Sequence, residues 1–286
     1  MKLGRTTGQS GRQFMLLAPS QGASLPFNQA LCDSSWHQQL LAEAQKLRGR
    51  IYLQDGAIQA SDLSADGRHI QAADDLAWHL LTVDEKEGVT ACIRYFAHES
   101  SVQYSELSVA RSGIARSAEL GPRVREAIET ELDDARSRGI LYVELGGWAV
   151  SESLRCSTEA IRTLLTVYAL SQVQGGALGL SSATTRHHSS SILRRIGGRT
   201  LRADGIEVPA YYDPQYGCEM ELLSFDSTAP NQRYAVWIDD CRRLLHQVPV
   251  LACAPTDTST SDLLHLGAVV GGRSARLMRQ AELARI

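Results

Sequence analysis

The sequence predicts a mixed α/β fold, in which apolar strands alternate with longer amphipathic helices. Leu141–Val150 is a strand-like run that ends in a polar turn, and a helical pattern follows over 157–174. A second strand over 177–183 and a short helix closed by Gly197-Gly198 complete the series. This order of elements is typical of a sheet covered by helices.

Other elements follow from the same patterns. Apolar residues at helical spacing predict a helix over 36–48. Pro122 suits the first turn of a helix and Gly139 suits the position after its end, so a helix is expected between them. Further elements are expected as a strand pair over 76–83 and 89–96, a late strand over 216–225 and a helix over 231–246. The segment 103–117 has no clear pattern.

The length of 286 residues fits one large domain or two small ones. Residues 1–35 are rich in Gly, Ser, Gln and Thr, and we expect an N-terminal extension that is partly disordered or wraps the domain. The main domain is expected over 36–250. The remainder, 251–286, is expected to be a tail in which 275–286 could form a terminal helix.

Composition argues for a cytoplasmic enzyme. The net charge of −3 gives no general affinity for nucleic acid, and a hydrophobic fraction of 43% supports a substantial core. No apolar run approaches the roughly 18 residues of a membrane-spanning helix. The six cysteines are scattered without a C-x-x-C pair, which is typical of reduced thiols. The adjacent His187 and His188 lack a third ligand at suitable spacing, so no metal site is expected.

The turn after Val150 has the chemistry of an anion site. It is basic and rich in hydroxyls, and it opens a helix whose first N–H groups and dipole favour negative charge. Arg155, Ser157 and Thr158 are therefore candidates for phosphate contacts. The alternative is that Ser157 is an ordinary N-cap and Arg155 is solvated.

This series of elements resembles the centre of the GNAT acyltransferase superfamily. The phosphate loop of that family reads Arg/Gln-x-x-Gly-x-Gly/Ala; Arg155 and Ala160 match its ends, and the middle glycine is missing. The resemblance implies a mostly antiparallel sheet of about seven strands, splayed beside Val150. It also implies that the loop binds the phosphopantetheine of acyl-CoA or acyl carrier protein. The residues implied in this contact are Val150, Ser151, Arg155, Cys156, Ser157, Thr158 and His188.

The upstream half resembles the N-acyl-homoserine-lactone synthases and the N-acyl amino acid synthases. Arg48 and Tyr52 match an Arg-x-x-x-Phe/Tyr pattern, and an acidic pair then precedes two strands, the second of which carries Arg94. The resemblance implies that Arg48, Asp75 and Arg94 lie on the acceptor side. Arginine suits an α-carboxylate, and Asp75 could hold an ammonium group or an arginine. The alternative is a purely structural Arg–Asp network.

The strand from Leu141 carries the resemblance further. Glu144 and Val150 match Glu-x-x-Arg-x-x-Val, with Gly147 at the arginine position, and Ala72 replaces the first acid of the upstream motif. These departures argue against lactone formation. The tyrosine that the superfamily often carries on the short helix would fall at Leu193, and Ser189, Ser190 or His188 could substitute for it.

Acyl transfer to an amine suggests roles for two of these residues. Glu144 is the candidate general base, with a pKa raised by partial desolvation, and its alternative is a salt-bridge carboxylate. The family places an oxyanion donor at the backbone N–H of Val150. Cys156 as an acyl-accepting nucleophile is disfavoured, because no Cys-His-Asp/Asn order is evident.

The leading functional hypothesis is transfer of an acyl group, expected to be a fatty acyl group, to a small amine such as an amino acid. The donor would be acyl-CoA or acyl carrier protein. The alternatives are a short-chain acetyltransferase acting on a metabolite or protein, and an inactive GNAT-like binding domain. The sequence leaves open the acyl length, the acceptor, the carrier and the oligomeric state.

Overall fold

A computed structural model describes residues 11–20, 30–155 and 157–253. These ranges form one sheet of ten strands, a separate two-stranded hairpin and five α-helices. The strands are β1 (Arg12–Leu17), β2 (Ala30–Cys32), β3 (Trp78–Asp84), β4 (Gly88–His98), β5 (Leu141–Val150), β6 (Ala177–Thr184), β7 (Arg199–Thr200), β8 (Arg202–Ala203), β9 (Ile206–Glu207), β10 (Tyr211–Asp213), β11 (Cys218–Asp226) and β12 (Val250–Ala252). The helices are α1 (Ser34–Gln54), α2 (Gly121–Arg138), α3 (Thr158–Val173), α4 (Ser189–Ile196) and α5 (Ala235–Leu245).

The sheet is mixed and mostly antiparallel, as the sequence predicts. Its strand order is β10-β11-β6-β5-β4-β3-β1-β12-β2, and β7 also pairs with β11. Parallel pairing in the described part of the sheet joins β5 to β6, β1 to β12 and β12 to β2. The sheet has ten strands in the described residues, whereas about seven were expected. The strands outside the predicted segments are β1, β2, β7, β10 and β12.

β1 lies well inside the sheet, although its segment was expected to be an extension. It pairs with β3 on one side and with β12 on the other. Phe14 and Leu16 are buried in the core of one face, and Met15 and Leu17 are buried in the core of the other. Because successive side chains alternate between faces, such a strand needs cover on both. The sheet therefore crosses both expected domain limits, and the expected helix at 275–286 lies outside the described residues.

Helices cover both faces of the sheet. α3, α4 and α5 pack on one face, around Leu165 and Ile238, and α1 and α2 pack on the other. α2 ends where Gly139 adopts the left-handed conformation, with φ of 63°, as its sequence predicts. No helix in the described ranges is both long and apolar enough to cross a membrane.

Candidate functional site

The sheet opens between β5 and β6. These strands pair in parallel from Leu141 opposite Ala177 to Leu145 opposite Ser181. Beyond that point β5 continues to Val150 without pairing to β6. The splay expected beside Val150 is therefore present, and it makes a gap through the sheet.

A cavity of about 900 Å³ occupies this gap and reaches both faces of the sheet. On the face covered by α1 and α2 its walls form a polar chamber, lined by Tyr52, Gln71, Arg94, Glu144, Asp213 and Tyr216. On the face covered by α3 and α4 they form an apolar chamber, lined by Ile161, Leu164, Val167, Tyr168, Leu193 and Phe225. A mouth region beside the N-termini of α3 and α4 is lined by Asp55, Arg155, Ser157, Arg186 and His188.

The backbone of Val150 is aimed at the gap. Ser151 donates its N–H to the carbonyl oxygen of Thr90 at 2.8 Å, and Val150 lies opposite Ala91. In an antiparallel pair the residues bond alternately to one side and to the other. Because Ser151 bonds toward β4, the N–H of Val150 points away from β4 and toward the open side.

A β-bulge in β5 shapes the polar chamber. The register with β4 shifts between Cys92 opposite Ala149 and Arg94 opposite Gly146, so β5 carries an extra residue there. Gly147 lies in this bulge with φ of 64°, a left-handed conformation that favours glycine. The same glycine leaves room for an arginine side chain behind it, because a Cβ atom at position 147 would lie 2.8 Å from Nη1 of Arg48.

Arg48 and Arg94 share one buried carboxylate, that of Asp74. Nη2 of Arg48 lies 2.6 Å from Oδ2 of Asp74, and Nη1 of Arg94 lies 3.0 Å from Oδ1. Burial raises the pKa of Asp74, but the hydrogen bonds and charges of the two arginines outweigh it and hold this pKa well below its ordinary range. The trio therefore carries two positive charges and one negative charge at neutral pH.

The two arginines differ in access to the cavity. Arg48 is almost fully buried, and it also donates to the carbonyl oxygen of His69. Arg94 lines the polar chamber, where its Nη1 also donates to Oε1 of Gln71 at 2.6 Å. Arg48 therefore fixes Asp74, which in turn orients Arg94. The geometry contains the Arg–Asp network that the sequence posed as one alternative, built on Asp74, and Arg94 in addition lines the cavity.

Asp75 does not join this network, contrary to the sequence expectation. Its side chain is exposed and accepts a hydrogen bond from Ser20 at 3.4 Å. A short 3₁₀ turn over Asp74–Leu76 sends the first of the two acids into the core and the second to the surface. The acidic partner of the arginines is Asp74.

Glu144 lines the polar chamber but is heavily hydrogen-bonded. Its carboxylate lies 3.0 Å from Nε2 of His98 and accepts the backbone N–H groups of Ser108 and Val109 at 3.0 and 3.1 Å. Burial raises the pKa of Glu144, but these donors outweigh it, and the net result is a lowered pKa. The raised pKa expected from the sequence is therefore wrong: desolvation is the largest single effect on Glu144, but His98 and the two backbone N–H groups together outweigh it.

The mouth region is basic and bridges α1 to the loop after β5. Nη2 of Arg155 lies 3.4 Å from Oδ1 of Asp55 at the end of α1, and Arg155 remains about half exposed. Nη1 of Arg186 donates to the backbone oxygen of Asp55 at 3.2 Å. Ser157 caps α3 by accepting the N–H of Glu159 at 3.2 Å. Capping and a cavity-facing position thus coexist at Ser157.

The remaining loop candidates differ in position. The hydroxyl of Ser151 is buried and bonded to that of Ser153 at 2.9 Å, and Thr158 is exposed outside the cavity lining. His188 lines the cavity and has φ of 62°, an uncommon conformation for a residue with a side chain. Cys156 lies outside the described residues.

Sequence reasoning missed several residues of the cavity. Gln71, Asp213 and Tyr216 line the cavity, and His98 bonds to Glu144 beside it; these residues lie far apart in the chain, and only the fold brings them together. Arg186 had a signal, because it directly precedes the predicted short helix. Among the described residues, no group of three His, Cys, Asp or Glu side chains is arranged to hold a metal ion.

Comparisons with known proteins bear on the fold. No protein-family model matches the chain, and no curated protein matches it by sequence. A CoA-dependent acyl-homoserine lactone synthase, BjaI, solved with SAM and isopentyl-CoA, is similar with 12% identity and a TM-score of 0.51. The match covers 90% of this chain and 100% of that one. The chain has the fold of an acyl-homoserine lactone synthase.

Two further structures are similar. BjaI solved with MTA has 11% identity and a TM-score of 0.51 over the same shares of both chains. FeeM, an N-acyl amino acid synthase from uncultured soil microbes, has 12% identity and a TM-score of 0.44, over 69% of this chain and 88% of that one. The acyl-homoserine-lactone-synthase-like fold that the sequence predicts is confirmed by the two BjaI structures.

Proposed function

We propose that the protein is an N-acyltransferase, which moves an acyl group from a phosphopantetheine thioester to the amine of a small acceptor. The observation that carries this proposal is the single cavity that crosses the sheet at the splay. It joins a basic mouth, an apolar chamber and a polar chamber around the N–H of Val150. A thioester and an amine entering from opposite faces would meet there.

The mouth and the apolar chamber suit the donor. Arg155, Arg186 and the first amides of α3 supply cations and N–H groups for phosphate. Beyond them the apolar chamber extends to Tyr168 and Phe225, whose rings meet edge to face with centroids 6.0 Å apart. This apolar depth favours a fatty acyl chain over an acetyl group. The donor is acyl-CoA or acyl carrier protein.

The polar chamber suits the acceptor. Because Arg48, Asp74 and Arg94 together carry a net positive charge, they favour an anionic group on the ligand. Arg94 is the member that lines the cavity, so it would hold a carboxylate of the acceptor directly. An amino acid or a related molecule meets this requirement.

The chemistry follows from these positions. The acceptor amine attacks the thioester carbonyl, and the N–H of Val150 stabilises the oxyanion of the tetrahedral intermediate. The C–S bond then breaks, the C–N bond remains, and the carrier leaves as a thiolate. Glu144, or a water that it holds, takes the proton from the amine. Leu193 supplies no acid on α4, and a thiolate leaving group requires little help.

The solved relatives support the donor class. BjaI was solved with isopentyl-CoA, which carries a branched alkyl chain on CoA, and with SAM, which carries an amino acid group. The chain shares the fold of that protein, while Gly147 replaces the arginine of the matched pattern. Simple amide formation, without lactone closure, is therefore the reaction proposed.

Amine-dependent release of free thiol tests this function. The purified protein is incubated with short-, medium- and long-chain acyl-CoAs and with acyl carrier protein, against a panel of amino acids and polyamines. Thiol release that requires one of the amines, with the corresponding amide detected by mass spectrometry, supports the proposal. A protein that binds acyl-CoA but releases no thiol with any amine would instead be an inactive binding domain.

A further inference from the structure

Asp213 is a carboxylate in the polar chamber that the proposed transfer does not use. It lies at the end of β10, is only 6% exposed and lines the cavity. Its Oδ1 accepts the backbone N–H of Gln215 at 2.9 Å, within its own turn. Among the side chains that the structure describes, none forms an ion pair with it.

Asp213, Arg94 and Tyr216 line the same chamber. Burial raises the pKa of Tyr216, the charge of Asp213 raises it further, and the charge of Arg94 lowers it. The charges of both groups, the carboxylate at the end of β10 and the guanidinium from β4, therefore act on Tyr216. The chamber therefore presents a cationic group from β4 and an anionic group from the end of β10 to the same space.

Oδ2 of Asp213 lies beside Gly113, where a Cβ atom built on the glycine would be 3.8 Å away, so this neighbour offers no side chain to pair with the carboxylate. Arg111, two residues earlier, is exposed and lines the cavity, and it forms no ion pair with Asp213. Burying a carboxylate without a cationic partner costs free energy, and a bound cation beside it would offset that cost.

We propose that Asp213 selects an acceptor that carries a second positive charge. The ligand class is an α-amino acid with a cationic side chain, its carboxylate at Arg94 and its side-chain cation at Asp213. This inference rests on the proposed function for the statement that the ligand is an acceptor. The binding of the ligand itself does not depend on it.

Calorimetry with two matched pairs of amino acids tests the inference. Lysine is compared with norleucine, and arginine with citrulline, because each pair differs mainly in the side-chain charge. The titrations use the full chain, its Asp213→Asn variant and a control variant, Asp75→Asn. Asparagine keeps an oxygen for the N–H of Gln215, and the control removes the same charge from the exposed neighbour of Asp74.

The parent should bind the charged member of at least one pair about 10- to 100-fold more tightly, as expected for a charged hydrogen bond. Asp213→Asn should abolish this preference, and Asp75→Asn should keep it. Equal or absent binding of both members by the parent, or a preference that survives in Asp213→Asn, would overturn the assignment. Melting curves of the variants separate loss of selectivity from loss of folding.

The outcome is separable from the proposed function. If the parent acylates amines without any preference for charged side chains, the role of Asp213 fails and acyl transfer stands. If the parent binds lysine over norleucine through Asp213 but acylates neither, acyl transfer fails and the cation site stands.

Discussion

Gly147 lies directly against Arg48: a Cβ atom at position 147 would come 2.8 Å from Nη1 of the buried guanidinium. A side chain at 147 would meet Arg48 in the space that the bulge of β5 leaves for it. The network of Arg48 and Asp74 and the glycine of the bulge are therefore two parts of one arrangement.

Gly147→Ala should destabilise the protein by more than Gly139→Ala. Both glycines have φ near 64°, so both substitutions should cost about 1–2 kcal/mol in backbone strain. Position 139 has open space around its Cβ, whereas position 147 meets Arg48, which should add about 1–3 kcal/mol. Chemical denaturation measures both free energies of unfolding. Equal losses of unfolding free energy in the two variants would mean that Arg48 shifts to accommodate the new methyl group without destabilising the protein.

Asp74→Asn should destabilise the fold by about 3–5 kcal/mol, because it leaves the buried Arg48 and the partly buried Arg94 without their shared carboxylate. Asp75→Asn, at the exposed neighbour, should change the free energy of unfolding little. The folded pKa of Asp74 is lowered, so its contribution is complete above the unfolded pKa of about 3.9 and is lost as the pH falls below it. The difference between parent and Asp74→Asn should therefore shrink in acid. A difference that persists unchanged in acid would contradict the ion-pair account.

Two buried histidines should make the protein less stable as the pH falls from about 6.5 to 4. Burial, and then the charge of Arg48, lowers the pKa of His69 to about 4, and burial lowers that of His79 to about 4. The unfolded chain binds protons at these residues near pH 6.5, before the folded chain does, so protonation favours unfolding. Denaturation at several pH values should show this slope. In His79→Gln the slope should be smaller, and an unchanged slope would exclude His79 as a source.

Arg155→Ala should weaken binding of the carrier more than it slows turnover. Loss of one charged phosphate contact costs about 1.5–3 kcal/mol, which would raise the KM for acyl-CoA about 10-fold or more. Arg202→Ala removes the same charge from the exposed β8–β9 hairpin and should leave KM unchanged. Calorimetry with CoA gives an independent reading. Equal CoA affinity in parent and Arg155→Ala would remove Arg155 from the site.

Glu144→Gln should lower turnover by about 10²–10⁴-fold, the usual contribution of a general base. His98→Asn tests the same group differently, because it keeps the carboxylate and removes a donor that lowers its pKa. The acidic limb of its rate profile should therefore move to higher pH, toward the ordinary glutamate range. Stopped assays across the acidic range would measure both variants. Normal turnover in Glu144→Gln, where chemistry limits the rate, would mean that the base lies elsewhere.

Local patterns predicted most of the central elements. The strand Leu141–Val150 has the predicted bounds, and the helices expected over 122–138 and 157–174 are α2 and α3 within one residue at each end. These segments combine clear periodicity with end signals such as Gly139 and Ser157. The structure of these segments depends on residues that are neighbours in the sequence, so local patterns were enough to predict it.

Local sequence patterns could not predict which strands pair across long distances in the chain. β1 owes its place to β12, more than two hundred positions away in the chain, and Asp213 reaches the cavity only because β10 pairs with β11. The choice of Asp74 over Asp75 depends on one 3₁₀ turn. The pKa of Glu144 depends on amides from the segment 103–117, whose pattern was ambiguous because it folds as short 3₁₀ turns. The sequence therefore indicated the type of site better than its full set of residues.

The most direct measurement follows the acyl carbon itself. The protein is incubated in parallel with acyl-CoA and with acyl carrier protein, each carrying an isotopic label at the thioester carbonyl, together with the panel of amino acids and polyamines, and all products are resolved by mass spectrometry. The account predicts that the label appears in an amide of one of the amines, with free CoA or free carrier protein released in equal amount. Recovery of the label only as free carboxylic acid, or only as unreacted thioester, would contradict acyl transfer by this protein.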